Sequence, residues 1–128
     1  MSKPSSHPEL DSTFVDEQRE KLVALRDELL SSEERIRAAE RSETELHGGE
    51  AREFEDDAQT MAQREVNQAK RNVSDQRIMS IERALQKIEQ GSYGLSDQSG
   101  EPIAKARLES TPEAIFTIEE ERKREAGR

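Results

Sequence analysis

The sequence predicts a mainly α protein: a long antiparallel helical hairpin, or coiled coil, followed by a small C-terminal knob with a short C-terminal helix. Two long runs of helix-forming residues place apolar side chains three and four positions apart, which is the spacing of one helix face. Gly48 and Gly49 separate the runs and permit the positive φ of a tight reversal. Hydrophobic residues make up 30% of the chain and aromatic residues 3%, which suits a narrow seam better than a broad core.

Composition excludes several classes of function. The formal net charge of -9 argues against non-specific binding to nucleic acid or to an anionic membrane. The chain has no cysteine, so it can form neither a disulfide framework nor a thiolate metal site. It has no apolar run long enough to cross a bilayer, and its first residues lack the apolar part of a signal peptide. These features together predict a cytoplasmic protein.

Residues 1–11 are rich in Ser and Pro and show no apolar period, so we expect a flexible N-terminal tail in which His7 is solvated. Thr13 and Asp16 fit a capping box at the start of the first helix. The apolar spacing then defines a seam, and Gly48 ends the helix. The seam positions are Val15, Gln18, Leu22, Leu25, Leu29, Ser32, Ile36, Ala39, Glu43 and Leu46.

The hairpin is expected to span 12–91, with its tip near 47–58. The return helix begins between Glu50 and Asp56 and ends at Gln90, before Gly91. Its seam contains small residues toward the tip and larger ones toward the base, so the tip half should be less stable. These positions are Ala58, Ala62, Val66, Ala69, Val73, Ile78, Ile81, Leu85 and Ile88. The same seam could instead pair two chains, but we expect a monomer.

The tip is strongly acidic, with five carboxylates between Glu50 and Asp57. Acidic residues are favoured in the first turn of a helix, which explains part of this cluster. A charged group at the end of a hairpin also suits insertion into a partner. His47 either complements the helix dipole or binds a metal with these acids, and Phe54 either staples the helix end or contacts a partner.

The knob, 92–128, begins after Gly91. Pro102 restricts Glu101 to an extended conformation, so a short extended piece is expected there. Pro112 is expected in the first turn of the last helix, which would be capped by Thr111 or by a capping box from Ser110 to Glu113. That helix would carry Ile115, Phe116 and Ile118.

Three runs of the knob have a recognisable order and spacing: Tyr93-Gly94-Leu95-Ser96-Asp97-Gln98-Ser99-Gly100-Glu101-Pro102-Ile103, Arg107-Leu108-Glu109 and Pro112-Glu113-Ala114. In these runs the knob resembles the C-terminal zinc finger of the DksA/TraR family. In that family the pattern is YG-x-C-x-x-CG-x-x-I, then RLEA-x-P-x-A, then C-x-x-C, and the four cysteines hold one zinc. Ser96, Ser99, Thr117 and Glu120 stand at the cysteine positions here.

Neutral hydroxyls and one carboxylate are poor zinc ligands, so we expect a zinc-finger-like knob lacking zinc. Apolar packing would then have to hold it together. The residues expected to do so are Tyr93, Leu95, Ile103, Leu108, Ile115, Phe116 and Ile118.

The resemblance implies a transcription regulator that binds RNA polymerase and inserts its acidic coiled-coil tip into the secondary channel, modulating initiation without binding DNA. The family tip motif D-x-x-D-x-A falls on Glu53, Asp56 and Ala58, and Asp57 lies beside them. Glu53 keeps the charge of the family Asp but adds a methylene. Arg107 lies in the matched RLE run and is a candidate rim contact.

No cofactor is expected. Family members that bind the alarmone ppGpp together with the polymerase use basic residues on the second helix and around the finger. None of the aligned residues here is basic, so ppGpp co-binding is not expected at that site. They are Val73, Gln76, Ser80, Thr111 and Glu121.

Two other functions stay open at this point. The chain could be a coiled-coil adaptor that has lost polymerase binding, or a Gre-like transcript-cleavage factor in which Glu53 and Asp56 help the polymerase hold a catalytic magnesium. The sequence shows no phosphate-cradling loop and no Ser-His-Asp arrangement on a plausible scaffold. We therefore predict that the chain is not itself an enzyme.

Overall fold

The computed structural model describes residues 6–47 and 54–127, with side chains described for 6–42 and 58–127. The described residues form four helices: α1 Ser12–His47, α2 Phe54–Gln90, α3 Lys105–Ser110 and α4 Ile118–Ala126. Strand-like pairing in these described ranges amounts to one isolated antiparallel bridge, between Leu95 and Pro102. The predicted mainly α fold with a helical hairpin is confirmed. No helix among the described residues is long and apolar enough to cross a membrane.

Internal contacts divide the chain into two compact units. The first, the base unit, comprises Met1–Arg26 with Arg77–Arg128, and the second, the hairpin unit, comprises Asp27–Gln76. Both long helices contribute to both units, because α1 passes Arg26 and α2 passes Arg77 without a break. The contacts therefore place the part of α1 up to Arg26 and the part of α2 from Arg77 in one unit with the knob. The sequence pattern indicates a different boundary, between the hairpin and the knob.

Asp11 caps the start of α1. The Phe14 backbone N–H donates to Asp11 Oδ1 at 2.8 Å, and the Val15 N–H donates to the Asp11 carbonyl at 3.1 Å. The prediction that Thr13 is the cap is wrong, since Thr13 lies inside the first turn. Asp is as good a cap as Thr, and its charge also complements the positive end of the helix dipole.

The segment before α1 packs onto the knob. His7 is only 6% exposed, and its Nε2 hydrogen-bonds with the Ile103 carbonyl at 2.7 Å. The backbone N–H of Glu9 donates to the other ring nitrogen, Nδ1, at 3.1 Å. The expectation that His7 is solvated in a flexible tail is therefore wrong. Sequence pattern could not show this contact, because it joins residues 96 positions apart.

Gly94 makes room for this segment. Its φ is +86°, a conformation that favours glycine. A Cβ at this position would lie 2.8 Å from Leu10 Cδ1 and 2.9 Å from His7 Cδ2. The absence of a side chain at Gly94 thus lets His7 and Leu10 lie directly against the backbone of the knob.

The apolar core lies in the base unit. Among the described residues, every buried hydrophobic side chain belongs to that unit. The buried set is Leu22, Ile78, Ile81, Ala84, Ile88, Tyr93, Leu95, Ile103, Leu108 and Ala114.

Most of the residues predicted to hold the knob together are buried or half-buried. Tyr93, Leu95, Ile103 and Leu108 are buried as expected, and Ile115 and Phe116 are half-buried. The prediction is wrong for Ile118, whose side chain is 43% exposed.

A buried hydrogen-bond chain joins α1 to the knob. Gln18 Nε2 donates to Tyr93 Oη at 2.9 Å and to the Leu108 carbonyl at 2.7 Å. Tyr93 donates in turn to the Pro112 carbonyl at 2.9 Å. Burial, opposed by the hydrogen bond from Gln18, raises the pKa of Tyr93 to about 12. Tyr93 therefore keeps its proton, and its bond to Pro112, throughout the neutral range.

Helix α2 ends as predicted, at Gln90. Gly91 has φ +80°, and its N–H donates to the Ile88 carbonyl at 3.2 Å. The Ser92 N–H reaches back to the Lys87 carbonyl at 2.9 Å, which completes a Schellman motif. This reversal directs the chain into the turns of the knob.

The last helix begins later than predicted. Helix α3 ends at Ser110, and α4 starts at Ile118 instead of at Pro112. Thr117 is the N-cap of α4 and forms a reciprocal capping box with Glu120. The Pro112 carbonyl is already occupied by Tyr93, which favours a loop at this point. The prediction of a helix starting at Thr111 and Pro112 is therefore wrong.

Polar contacts define the antiparallel pairing inside the hairpin unit. Arg71 Nη1 donates to both oxygens of Glu40 at 3.1 Å, and Asn67 Nδ2 donates to Glu40 Oε1 at 3.0 Å. Glu33 lies further along the pair, where its interaction with the Asp75 carboxyl, together with burial, raises the pKa of Glu33. Residues early in α1 thus face residues late in α2, as a hairpin requires.

The predicted apolar seam is wrong for this part of α2. Its predicted members Ala58, Ala62, Val66, Ala69 and Val73 are all exposed, and on α1 Ala39 is exposed while Glu40 is half-buried. The half-buried positions of this part of α2 are Thr60, Asn67, Arg71 and Ser74.

The reason is the five-residue step from Val73 to Ile78. Five residues turn a helix by about 140° beyond a full turn, so the Val73 stripe and the Ile78 stripe cannot both face α1 in a straight helix. The larger apolar residues, beginning with Ile78 and Ile81, occupy the buried face.

The polar contacts between α1 and α2 in the hairpin unit predict that backbone amides are protected from hydrogen exchange unevenly along α2. We expect backbone amides between residues 60 and 74 to exchange with deuterium at least about tenfold faster than those between 78 and 88, because little apolar burial opposes opening there. Hydrogen exchange resolved by residue measures this difference. Equal protection along the helix would contradict it.

Gly94 and Gly91 form a matched pair for testing the packing of the N-terminal segment. Gly94→Ala should lower the free energy of unfolding by about 2–3 kcal/mol, because it adds overpacking against His7 and Leu10 to the cost of positive φ. Gly91→Ala should cost about 1 kcal/mol, since a Cβ there meets nothing within 4 Å. Urea unfolding measures both. Equal losses would show that residues 7–10 do not pack against Gly94.

Candidate functional site

The four residues at the family's cysteine positions come together in the base unit. Ser96 Oγ donates to Glu120 Oε1 at 2.6 Å, and the Thr117 backbone N–H donates to the same oxygen at 2.8 Å. The Ser99 backbone N–H donates to Ser96 Oγ at 3.2 Å, and the Ser99 side chain contributes to lowering the pKa of Glu120. We call Ser96, Ser99, Thr117 and Glu120 the hydroxyl–carboxylate cluster. It joins the turn after Leu95 to the start of α4.

Backbone donors complete the cluster. Ser96 Oγ accepts the N–H groups of Gln98 at 3.0 Å and Ser99 at 3.2 Å, while its own proton points to Glu120. The Glu120 N–H donates to Thr117 Oγ1 at 3.2 Å, which is the second half of the capping box. The polar groups of the turn and of the first turn of α4 therefore satisfy one another.

The hydrogen bonds control the ionisation of Glu120. Burial alone would raise the pKa of this carboxyl, but the bonds from Ser96, from Thr117 and from Ser99 outweigh it and lower the pKa to about 2. Glu120 is therefore an anion over the whole physiological range, and its charge also lies near the positive end of the α4 dipole.

A second polar group holds the neighbouring residue, Asp97. Arg83 donates to its two oxygens, from Nε at 2.8 Å and from Nη2 at 3.0 Å, and Lys87 Nζ donates to Oδ1 at 2.7 Å. The Lys87 side chain is 4% exposed and also donates to the Leu95 carbonyl. Burial would raise the pKa of Asp97, but Arg83 and Lys87 lower it overall. This group fastens the turn to α2.

Sequence reasoning did not find the Asp97 group. The available signal was the pair Arg83 and Lys87, four residues apart on one face of a helix that otherwise presents apolar residues to the core. A buried Lys needs an acidic partner, and Asp97 is the acid in the turn that follows this helix.

Arg107, the candidate rim contact, is partly engaged within the knob. Its Nε donates to the Phe116 carbonyl at 3.2 Å, and the residue is half-buried. Nearby, Arg77 Nε lies 3.3 Å from Glu113 Oε2, and the Arg124 guanidinium lies 4.3 Å from the centre of the Phe116 ring. Arg107 thus helps to tie α3 to the loop before α4, and its role toward a partner stays a prediction.

Most of the predicted tip lies outside the described residues or side chains. Glu53 falls in the undescribed interval, and Asp56 and Asp57 belong to α2 without described side chains. Ala58 is exposed on α2. The alternatives for the His47 and Phe54 side chains also lie outside this range. Elsewhere in the described chain, no group of three His, Cys, Asp or Glu residues could hold a metal ion.

Comparison with known proteins identifies the family. No protein-family profile matches the chain. The RNA polymerase-binding transcription factor DksA of Caulobacter vibrioides is 29% identical over 130 residues, covering 98% of this chain and 89% of that protein. The chain belongs to the DksA/TraR family. Transcription factor DksA2 from Pseudomonas aeruginosa is a structural neighbour of this family member, with a TM-score of 0.68, 26% identity, and coverage of 92% of this chain and 88% of that one.

The fold recurs in a second solved structure. The RNA polymerase binding protein and transcriptional regulator Dks from Chlamydia trachomatis has a TM-score of 0.57 at 23% identity, and the match covers 92% of this chain and 94% of that chain. The resemblance inferred from the knob runs is confirmed by the sequence identity to DksA, which extends over 98% of the chain. This DksA/TraR family member differs from the zinc-finger pattern in having no cysteine at all.

The low pKa of Glu120 predicts acid sensitivity. In the unfolded chain this carboxyl titrates near 4.5, and in the folded protein near 2. Its stabilising contribution is therefore complete above about pH 4.5 and is lost as the pH falls toward about 2. Glu120→Gln should remove this part of the pH dependence, so that the difference in melting temperature between the two proteins shrinks in acid.

The control is Glu119→Gln, which removes an exposed acid from the same helical turn. Melting curves of the three proteins between pH 7 and pH 2.5 measure the effect. The interpretation would be wrong if Glu119→Gln and Glu120→Gln changed the pH profile equally.

Proposed function

We propose that this chain is an RNA polymerase-binding transcription factor that modulates initiation. The observation that carries the proposal is the 29% identity to a protein of that name over 98% of the chain, which spans hairpin and knob alike. The helical hairpin of the structure supports it, since α1 and α2 pair in the antiparallel sense that a tip-first insertion requires.

The acidic tip is proposed to act on the polymerase. Glu53, Asp56 and Ala58 occupy the positions of the family motif, with Asp57 beside them. At close range and partly shielded from solvent by a partner, a carboxylate interacts strongly with cationic groups and metal ions, so the acids can change the stability of promoter complexes by electrostatics alone. The exposed Ala58 is small enough to allow close approach of a partner surface.

We infer a regulator rather than an enzyme, acting as a monomer in the cytoplasm, where the polymerase works. The net charge of -9 disfavours direct contact with DNA, so specificity would come from the polymerase. Arg107 is a proposed contact on the rim of the channel, although its bond to the Phe116 carbonyl gives it a structural task as well.

We infer that ppGpp does not co-bind at the family site of this chain. Val73 is 68% exposed and apolar, and Gln76 is exposed and uncharged. Ser80, Thr111 and Glu121 are half-buried, and none of the three can supply positive charge. A tetra-anionic or penta-anionic nucleotide needs cationic partners, which these positions do not provide.

Binding to the polymerase is the direct test. Full-length chain immobilised through its C-terminus should capture core RNA polymerase, and a Gre-type factor should compete, since both would occupy one channel. Replacing Asp56 by Asn should leave capture within about twofold and reduce the effect on promoter-complex lifetime about tenfold, the cost of one charge-assisted contact.

Two variants serve as controls for that experiment. Asp57→Asn makes the same chemical change one residue away, outside the family motif, and Glu65→Gln removes an exposed acid further along α2. We expect a smaller effect from Asp57→Asn and none from Glu65→Gln. Failure to capture the polymerase would favour the adaptor function, and stimulation of transcript cleavage in stalled complexes would favour the Gre-like one.

A further inference from the structure

We propose that the hydroxyl–carboxylate cluster replaces the zinc ion of the family's finger, so that the knob of this chain folds and stays folded without metal. Residues of the four cysteine positions lie within hydrogen-bonding distance of one another, although Ser96 and Glu120 are 24 positions apart in sequence. The cluster therefore connects the same two segments of chain that a zinc ion would connect.

The residues present do not fit zinc. Structural zinc sites use four thiolate or imidazole ligands, and this cluster offers three neutral hydroxyls and one carboxylate. Two of the cluster's acceptor atoms, Glu120 Oε1 and Ser96 Oγ, each already accept two hydrogen bonds. Glu120 Oε1 accepts from Ser96 and from the Thr117 N–H, and Ser96 Oγ accepts from two backbone N–H groups. Binding a metal would require breaking these bonds, with no thiolate to compensate.

The hydrogen bonds are suited to a mechanical role. A carboxylate that accepts several hydrogen bonds is a strong, directional acceptor. The Ser96 hydroxyl donates to Glu120 while it organises the turn through Gln98 and Ser99. The turn is also paired across itself, since the Ser96 N–H donates to the Glu101 carbonyl at 2.8 Å.

The Asp97 group strengthens the same turn from its other side. Asp97 is held by Arg83 and Lys87 of α2, and its backbone N–H donates to the Ile115 carbonyl at 2.8 Å. Consecutive residues thus fasten the turn in two directions: Ser96 to α4 and Asp97 to α2. A finger held in this way needs neither a metal ion nor a thiol, so chelators and thiol oxidants should leave it intact.

The experiment uses the full-length protein, purified without chelator in buffer that contains micromolar zinc. Metal analysis is expected to give less than about 0.1 zinc per chain, and an excess of EDTA is expected to shift the melting temperature by less than about 1 °C. Ser96→Ala should lower the melting temperature by roughly 5 °C, because it removes the donor to Glu120 and the acceptor of two N–H groups.

Ser110→Ala is the matched control, because it deletes an exposed hydroxyl that bonds only locally, to the Arg107 carbonyl. It should change the melting temperature by less than about 1 °C. Glu120→Gln, which keeps the shape but not the charge, provides a second variant should Ser96→Ala fail to fold, and it should also lower the melting temperature.

One zinc per chain, with a melting temperature that falls when EDTA removes it, would overturn the proposal. So would equal melting temperatures for Ser96→Ala and Ser110→Ala. Polymerase binding does not enter any of these measurements, so the metal-free knob and the proposed function can fail independently.

Discussion

A limited supply of large apolar residues is the constraint on which the rest of this structure depends. Two helices of 36 and 37 residues need many such side chains if they are to pack against each other along their whole length. The chain instead concentrates Leu, Ile and Tyr near the base, around Ile81 and Leu108, where every buried hydrophobic residue of the described chain is found. Between Asp27 and Gln76 the helices face each other largely through polar groups such as Glu40 and Arg71. Cohesion there is weaker, because exposed or half-exposed ion pairs contribute little.

Buried and partly buried polar groups add contacts that hold the base unit together where the apolar core is small. Gln18 and Tyr93 connect three segments of the chain through buried hydrogen bonds. The Lys87 ammonium group forms an ion pair with Asp97 at the edge of the core. Such groups are costly to bury unless each finds a partner, so they also specify one arrangement of the knob. The hydroxyl–carboxylate cluster is another such set of paired polar groups, and it lies where the zinc finger of the family would hold a metal ion.

Local rules in the sequence predicted the two long helices well, but predicted the short helices of the knob and the contacts between elements less well. The end of α2 at Gly91 and the extended piece at Pro102 follow from the backbone preferences of glycine and proline, and both were predicted correctly. The seam of α2 was predicted wrongly because period alone does not say which of two apolar stripes is buried. The five-residue step at Val73 was visible, but its result depends on the larger residues that follow. The burial of His7 depends on a distant glycine, Gly94, so no local pattern could reveal it.

At the cysteine positions, too, the sequence predicted the residue types but not the contacts that these residues make. Alignment to the family pattern identified Ser96, Ser99, Thr117 and Glu120 as the replaced cysteines, yet donor chemistry by itself suggested only that zinc would be lost. The structure adds that these residues bond to one another, and this changes the meaning of the substitutions. Random loss of ligands would leave four unrelated side chains, whereas here a carboxylate accepts from the opposite serine and forms a reciprocal capping box with the threonine three residues before it. Replacement of the zinc by a carboxylate-centred network therefore requires the substitutions to be compatible as a group, because Glu120 bonds to both Ser96 and Thr117.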